Sequence, residues 1–112
     1  MFYDIKNKTK TDWFVYLCRL FSTLTIFFRK IITEHSYGPH FIHSTGHGIG
    51  LDVHENPNIS GKSKEKLKKD MAITVEPGIY IPKKFGVRIE DSLIVKDRAA
   101  VMHKFTKDLI VI

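Results

Sequence analysis

Apolar positions along the chain change their period several times, and each change predicts an element. Residues 1–12 are polar, carry Lys6, Lys8 and Lys10, and show neither a helical nor a strand period, which predicts a loose terminus. Trp13 to Phe28 is the most apolar stretch. It predicts a buried or interfacial helix that starts after Thr11 or Asp12 and runs toward Gly38, a residue suited to stop it. Basic residues precede this stretch, so a signal peptide or membrane span has to be weighed. Sixteen residues fall short of the roughly 20 needed to cross a bilayer, Arg19 interrupts them, and no small-residue cleavage site follows.

Farther along, the period becomes two. Leu51, Asp52, Val53 and His54 alternate apolar and polar, which predicts a half-buried strand with Leu51 and Val53 on one face and Asp52 and His54 on the other. Asn56-Pro57-Asn58 and Ser60-Gly61 are turn chemistry, and the five lysines between Lys62 and Lys69 predict a short solvated helix or loop. Ala72 to Glu76 reads as a strand, Pro77-Gly78 as a turn, Ile79 to Ile81 as a second extended piece and Lys83 to Gly86 as another turn. Val87 to Val95 alternates again, with Val87, Ile89, Leu93 and Val95 on one face and Arg88, Glu90 and Ser92 on the other, so Arg88 and Glu90 share a side. The apolar run from Phe105 to Ile112 is expected to pack back on the sheet, and His103 to sit at the surface.

Composition narrows the class. A chain of 112 residues is one domain at most and buries about two thirds of its unfolded surface, so its core is modest. Its 43% apolar and 27% charged residues fit an ordinary soluble globular protein and argue against disorder. The single Cys18 cannot form an internal disulfide, which suits a reducing cytoplasm. A net charge of +6 raises nucleic acid as a partner, but no nucleic-acid motif accompanies it, and the lysine run is read as a solvated face. Neither nucleic acid nor a membrane is expected as a partner.

The chemistry concentrates in His43-Ser44-Thr45-Gly46-His47-Gly48-Ile49-Gly50-Leu51-Asp52-Val53-His54-Glu55, three histidines and three glycines in thirteen residues. Gly46, Gly48 and Gly50 alternate around His47 and let the backbone take positive φ or approach another group closely. Two blocks follow, Thr74-Val75-Glu76-Pro77-Gly78-Ile79-Tyr80 and Gly86-Val87-Arg88-Ile89-Glu90-Asp91. Together, in this order, they resemble the pita-bread metallopeptidases, specifically the branch of aminopeptidase P and prolidase, which act at Xaa-Pro bonds. Methionine aminopeptidases share the Gly-His-Gly-Ile-Gly core but usually differ at the other positions. The resemblance begins near Lys30, with Ile31 to Gly38 reading like the helix end before the histidine block, so residues 1–29 are unmatched and residues 30–112 resemble the C-terminal half of the catalytic domain.

The resemblance implies an α+β fold, half of a pita-bread domain, with a curved, mainly antiparallel sheet, ligands on its inner face and one or two helices outside. It implies His47, Glu76 and Glu90 as metal ligands. His43 and His54 would act near the scissile bond, stabilising the tetrahedral intermediate or moving protons, and Arg88 would orient the carboxylates. One imidazole with carboxylates is a fairly hard donor set, suited to Mn, Co or Zn. The family uses two metals and five ligands, and its two aspartates lie well upstream. Asp4 and Asp12 are the only upstream aspartates here, and neither has that context or spacing. The surviving set implies at most one metal, held weakly. Three functions compete: an Xaa-Pro peptidase acting on peptides with proline second, completed by a missing N-terminal half or by a homo-oligomer; a non-catalytic relative that binds a peptide or protein partner; and a remnant with no function of its own.

Overall fold

The structure, a computed structural model, describes residues 21–97 and 99–112. The proposed loose terminus and the first part of the Trp13 to Phe28 helix lie outside the described residues. Helix α1 spans Phe21–Glu34, and a 3-10 turn follows at Gly38–His40. Seven strands come next: β1 (Gly46–Gly48), β2 (Glu55–Ile59), β3 (Ala72–Val75), β4 (Gly78–Ile81), β5 (Phe85–Arg88), β6 (Asp91–Ile94) and β7 (Ala100–Val101). Five of them form an antiparallel sheet in the order β2-β1-β3-β6-β7, and β4 pairs with β5 as a separate hairpin. The class is α+β, as the sequence implies. Among the described residues, no helix is long and apolar enough to cross a membrane.

The helix ends earlier than Gly38. Ser36 takes φ 68°, its N–H donates to Thr33 O and the Tyr37 N–H donates to Ile32 O, the paired bonds of a left-handed C-terminal cap. Glycine is the usual residue there; here a serine closes the helix and Gly38 starts the next turn.

The core lies between α1 and one face of the sheet. Leu24, Ile59, Ile73, Val75, Leu93 and Val95 form it, flanked by Phe28, Leu67, Met71 and Ala99. Ile73 and Val75 share a face of β3 by the period of two, and Ile73 sits opposite Leu93 on β6. Each such buried side chain contributes roughly 1.5–3 kcal/mol. Beside Leu24, Thr25 is buried and donates its hydroxyl to the carbonyl of Ile59 at 3.0 Å, which ties the helix to the edge strand.

Four expectations are corrected. Leu51 to His54 is a bent loop rather than a strand, and Leu51 and Val53 are exposed. The loop closes on itself instead, through Gly50 N–H to Asp52 O and Asp52 N–H to the Glu55 carboxylate. Asn56-Pro57-Asn58, read as a turn, lies inside β2, where the Asn56-Pro57 peptide is cis. A proline is tolerated there because β2 is an edge strand and its register with β1 shifts between His47 and Gly48. Val87 to Val95 is not one strand. It breaks at residues 89–90, so β5 stays with the hairpin and β6 joins the main sheet, with Val87 exposed and Leu93 buried. The tail from Phe105 does not pack its apolar residues, and Phe105, Leu109, Val111 and Ile112 are exposed. The lysine-rich segment is loop, with one isolated bridge residue at Lys66.

Candidate metal centre

The break at residues 89–90 and the alternation along β3 bring three separate sequence blocks to one place. Thr74 and Glu76 are two residues apart at the end of β3, so they point to the face opposite Ile73 and Val75. His47 reaches that face from β1, with Gly46 and Gly48 on either side. A Cβ at Gly46 would fall on the carbonyl oxygen of Thr74, and one at Gly48 on that of Asn56. Close approach, rather than positive φ, is what these glycines supply, since no described glycine has a positive φ.

His47 is held on three sides. Its N–H donates to Thr74 Oγ1 at 3.0 Å, and its Nδ1 lies 2.8 Å from the carbonyl of Gly48. A carbonyl only accepts, so Nδ1 carries a proton and Nε2 presents its lone pair when the ring is neutral. Nε2 lies 3.0 Å from Glu76 Oε1, and both side chains are largely buried, at 16% and 12% exposure. Thr74 Oγ1 donates to that same Oε1 at 2.9 Å. Two lone pairs therefore face each other across 3.0 Å unless a proton or a cation lies between them. An imidazole of fixed tautomer beside a carboxylate is a fit for two donors of a divalent ion.

Arg88 extends the chain of contacts. Its Nη1 is 3.5 Å from Glu76 Oε2 and its Nη2 is 3.1 Å from Glu90 Oε2, so one guanidinium reaches both carboxylates. The His54 ring, from the exposed 51–54 loop, lies 4.3 Å from the His47 ring, centroid to centroid. His47, His54, Glu76, Arg88 and Glu90 thus form one connected group. Glu90 joins it through Arg88; among the described residues no three His, Cys, Asp or Glu side chains are grouped so as to hold a metal ion.

His43 stands in a neighbouring group. Its Nδ1 lies 2.6 Å from Ser44 O, its Nε2 lies 3.1 Å from the Tyr80 hydroxyl, and its ring meets Phe41 edge-on at 5.5 Å. With Nδ1 donating to a carbonyl, Nε2 accepts from Tyr80, and a neutral ring satisfies both contacts. Gly78 makes room for this pair, because a Cβ there would come 2.9 Å from His43 Nε2 and 2.8 Å from the Tyr80 hydroxyl. No role for Thr74 or Tyr80 follows from the sequence alone. Thr74 was legible in principle, being two residues before Glu76 on a strand; Tyr80 meets His43 only through the hairpin.

The model of metallopeptidase family M24 matches residues 19–97. An Xaa-Pro dipeptidase of Pyrococcus furiosus is 56% identical over 72 residues, covering 64% of this chain and 21% of the relative. Among solved structures, the prolidase from Pyrococcus furiosus superposes with a TM-score of 0.77 at 46% identity, covering 80% of this chain and 27% of that one. The Xaa-Pro dipeptidase from Bacillus anthracis does so with a TM-score of 0.80 at 40% identity, covering 95% and 34%. The chain spans about a fifth of the length of the curated relative and about a third or less of the solved chains.

Proposed function

The chain belongs to metallopeptidase family M24, and from that premise we propose that it supplies the histidine and glutamate part of a centre that hydrolyses Xaa-Pro peptide bonds. The observation that carries this reading is the contact of His47 Nε2 with Glu76 Oε1, two largely buried acceptors at 3.0 Å whose other partners are already set. His47 and Glu76 would hold a divalent ion there, which when bound would supply an activated water, its pKa lowered to about 7, and Lewis-acid polarisation of the peptide carbonyl.

The remaining roles fall to the chain's own side chains. Thr74 orients His47 and Glu76 together, and Arg88 holds Glu90 toward Glu76. His54 lies over His47 on a solvent-facing loop, where an imidazole can pass a proton at neutral pH. His43, oriented by Tyr80, is placed to contact substrate. The complement is at most one ion per chain, bound weakly. A second ion would share one carboxylate and add two positive charges a few ångströms away, which is unfavourable at any plausible interior dielectric. Full activity is proposed for an assembly in which a further polypeptide segment supplies the family's two aspartates.

One observation favours a second reading, a non-catalytic peptide binder: Arg88 reaches both Glu76 and Glu90 and offsets one of their two negative charges without a metal ion. Incubation of the protein, completed by a segment that carries the two aspartates, with Mn²⁺ and either Xaa-Pro or Met-Ala peptides separates the two. Release of the residue before proline, dependent on Mn²⁺ and lost in His47→Ala, supports the peptidase. Preferential release of methionine from Met-Ala overturns the prolyl assignment, and peptide binding without hydrolysis supports the second reading.

A further inference from the structure

Glu90 sits where neither ladder holds it. The last rung of the main sheet pairs Val75 with Asp91, the hairpin ends at Arg88, and residues 89–90 belong to no strand. Nearby, the Ile89 N–H reaches Pro77 O only at 3.3 Å. The C-terminal tail fills the gap. Lys107 Nζ donates to the backbone carbonyl of Glu90 at 2.7 Å and pairs with Asp91 Oδ1 at 2.8 Å.

The Lys107 side chain is 27% exposed, although the residue as a whole, like Phe105 and Leu109 on the same tail, is exposed. A local turn presents it: Thr106 Oγ1 donates to Asp108 Oδ2 at 3.0 Å and accepts the Asp108 N–H at 3.1 Å. The other tail side chain near Asp91 is His103, whose Nε2 lies 3.5 Å from Asp91 Oδ1 and 3.4 Å from the Ser92 N–H. One ring nitrogen cannot donate and accept at once, and both distances are long, so the short, charge-assisted contact is that of Lys107.

We infer that Lys107 is a positioning residue for Glu90, fixing its backbone from the carbonyl side while Arg88 fixes its carboxylate. Asp91, whose carboxylate receives the same ammonium, completes the clamp. The tail thereby acts on the candidate centre without carrying a ligand. This rests on the reading of Glu90 as a ligand, and the test separates the two.

Mn²⁺ affinity of the whole chain is measured by the paramagnetic signal of free Mn²⁺, alongside thermal unfolding, for Lys107→Met, Lys107→Arg, His103→Ala and Glu90→Gln. Lys107→Met keeps the aliphatic stem and removes the charge, and is expected to weaken Mn²⁺ on the order of 10-fold, the lower end for groups that orient a ligand. Lys107→Arg should restore most of the affinity, His103→Ala should retain it, and Lys107→Met should add nothing in the Glu90→Gln background. Unchanged affinity in Lys107→Met, with affinity lost in Glu90→Gln, overturns the inference and leaves Glu90 as a ligand. Equal losses from Lys107→Met with and without Glu90, or an equal loss in His103→Ala, show a general structural role and overturn it too. Unchanged affinity in Glu90→Gln removes Glu90 from the centre, and the inference with it.

Discussion

The Tyr80 hydroxyl lies 3.1 Å from Nε2 of His43, and it joins the β4–β5 hairpin to the histidine block. Because His43 Nδ1 donates to Ser44 O, Nε2 is the acceptor of the neutral ring, and the Tyr80 hydroxyl donates to it. Tyr80→Phe should keep the fold, cost about 0.5–1.5 kcal/mol and shift the His43 Nε2 resonance in ¹⁵N spectra. An unchanged resonance would show that the hydrogen bond does not form in solution.

Thr74 is expected to matter more. Its one hydroxyl accepts from the His47 N–H and donates to Glu76 Oε1, and the residue is buried. Thr74→Val keeps the shape and strands both partners, a loss of about 1–3 kcal/mol in denaturant titration. Thr74→Ser should recover most of it. Equal stability of the valine and serine variants would remove Thr74 from the network.

The glycines give a paired test. Gly46→Ala sets a methyl against the Thr74 carbonyl, whereas the nearest atom to a Cβ at Gly61 is Thr25 Cγ2 at 3.9 Å. Forcing atoms into such a packed site typically costs about 1–3 kcal/mol, so Gly46→Ala should lower the unfolding midpoint and Gly61→Ala should not. Similar midpoints for the two variants would contradict the close approach of β1 and β3.

Ile73 and Leu51 separate the core from the loop. Ile73 is fully buried in the central strand and Leu51 fully exposed. Ile73→Ala should destabilise by about 2–5 kcal/mol. Leu51→Ala should stay within about 0.5 kcal/mol. A large loss at Leu51 would restore the strand that its alternation predicts.

That contrast also shows what the residues reveal unaided. The strand read at Ala72 to Glu76 is present as β3, whose Ile73 and Val75 lie in the core. Alternation placed Arg88 and Glu90 on one side, and they meet at 3.1 Å. At Leu51 to Val53 the same pattern misled, since the loop satisfies its backbone through Glu55 and Asp52 rather than through a neighbour strand. The path of residues 87–95 was hidden for a related reason: a run of alternating residues does not say which partner each half will pair with, and here the halves pair with β4 and β3. The grip of Lys107 on Glu90 spans 17 positions and leaves no periodic trace.

The number of divalent ions held per chain reports on the pairing of His47 with Glu76. Mn²⁺ is added to the dialysed protein and bound metal is counted for the unsubstituted chain, His47→Ala and Glu76→Gln. A centre built on His47 and Glu76 holds at most one weakly bound ion, lost in both variants because one removes and the other neutralises a side chain of the pair that meets at 3.0 Å. Two tightly held ions, or one ion that survives both substitutions, would contradict it.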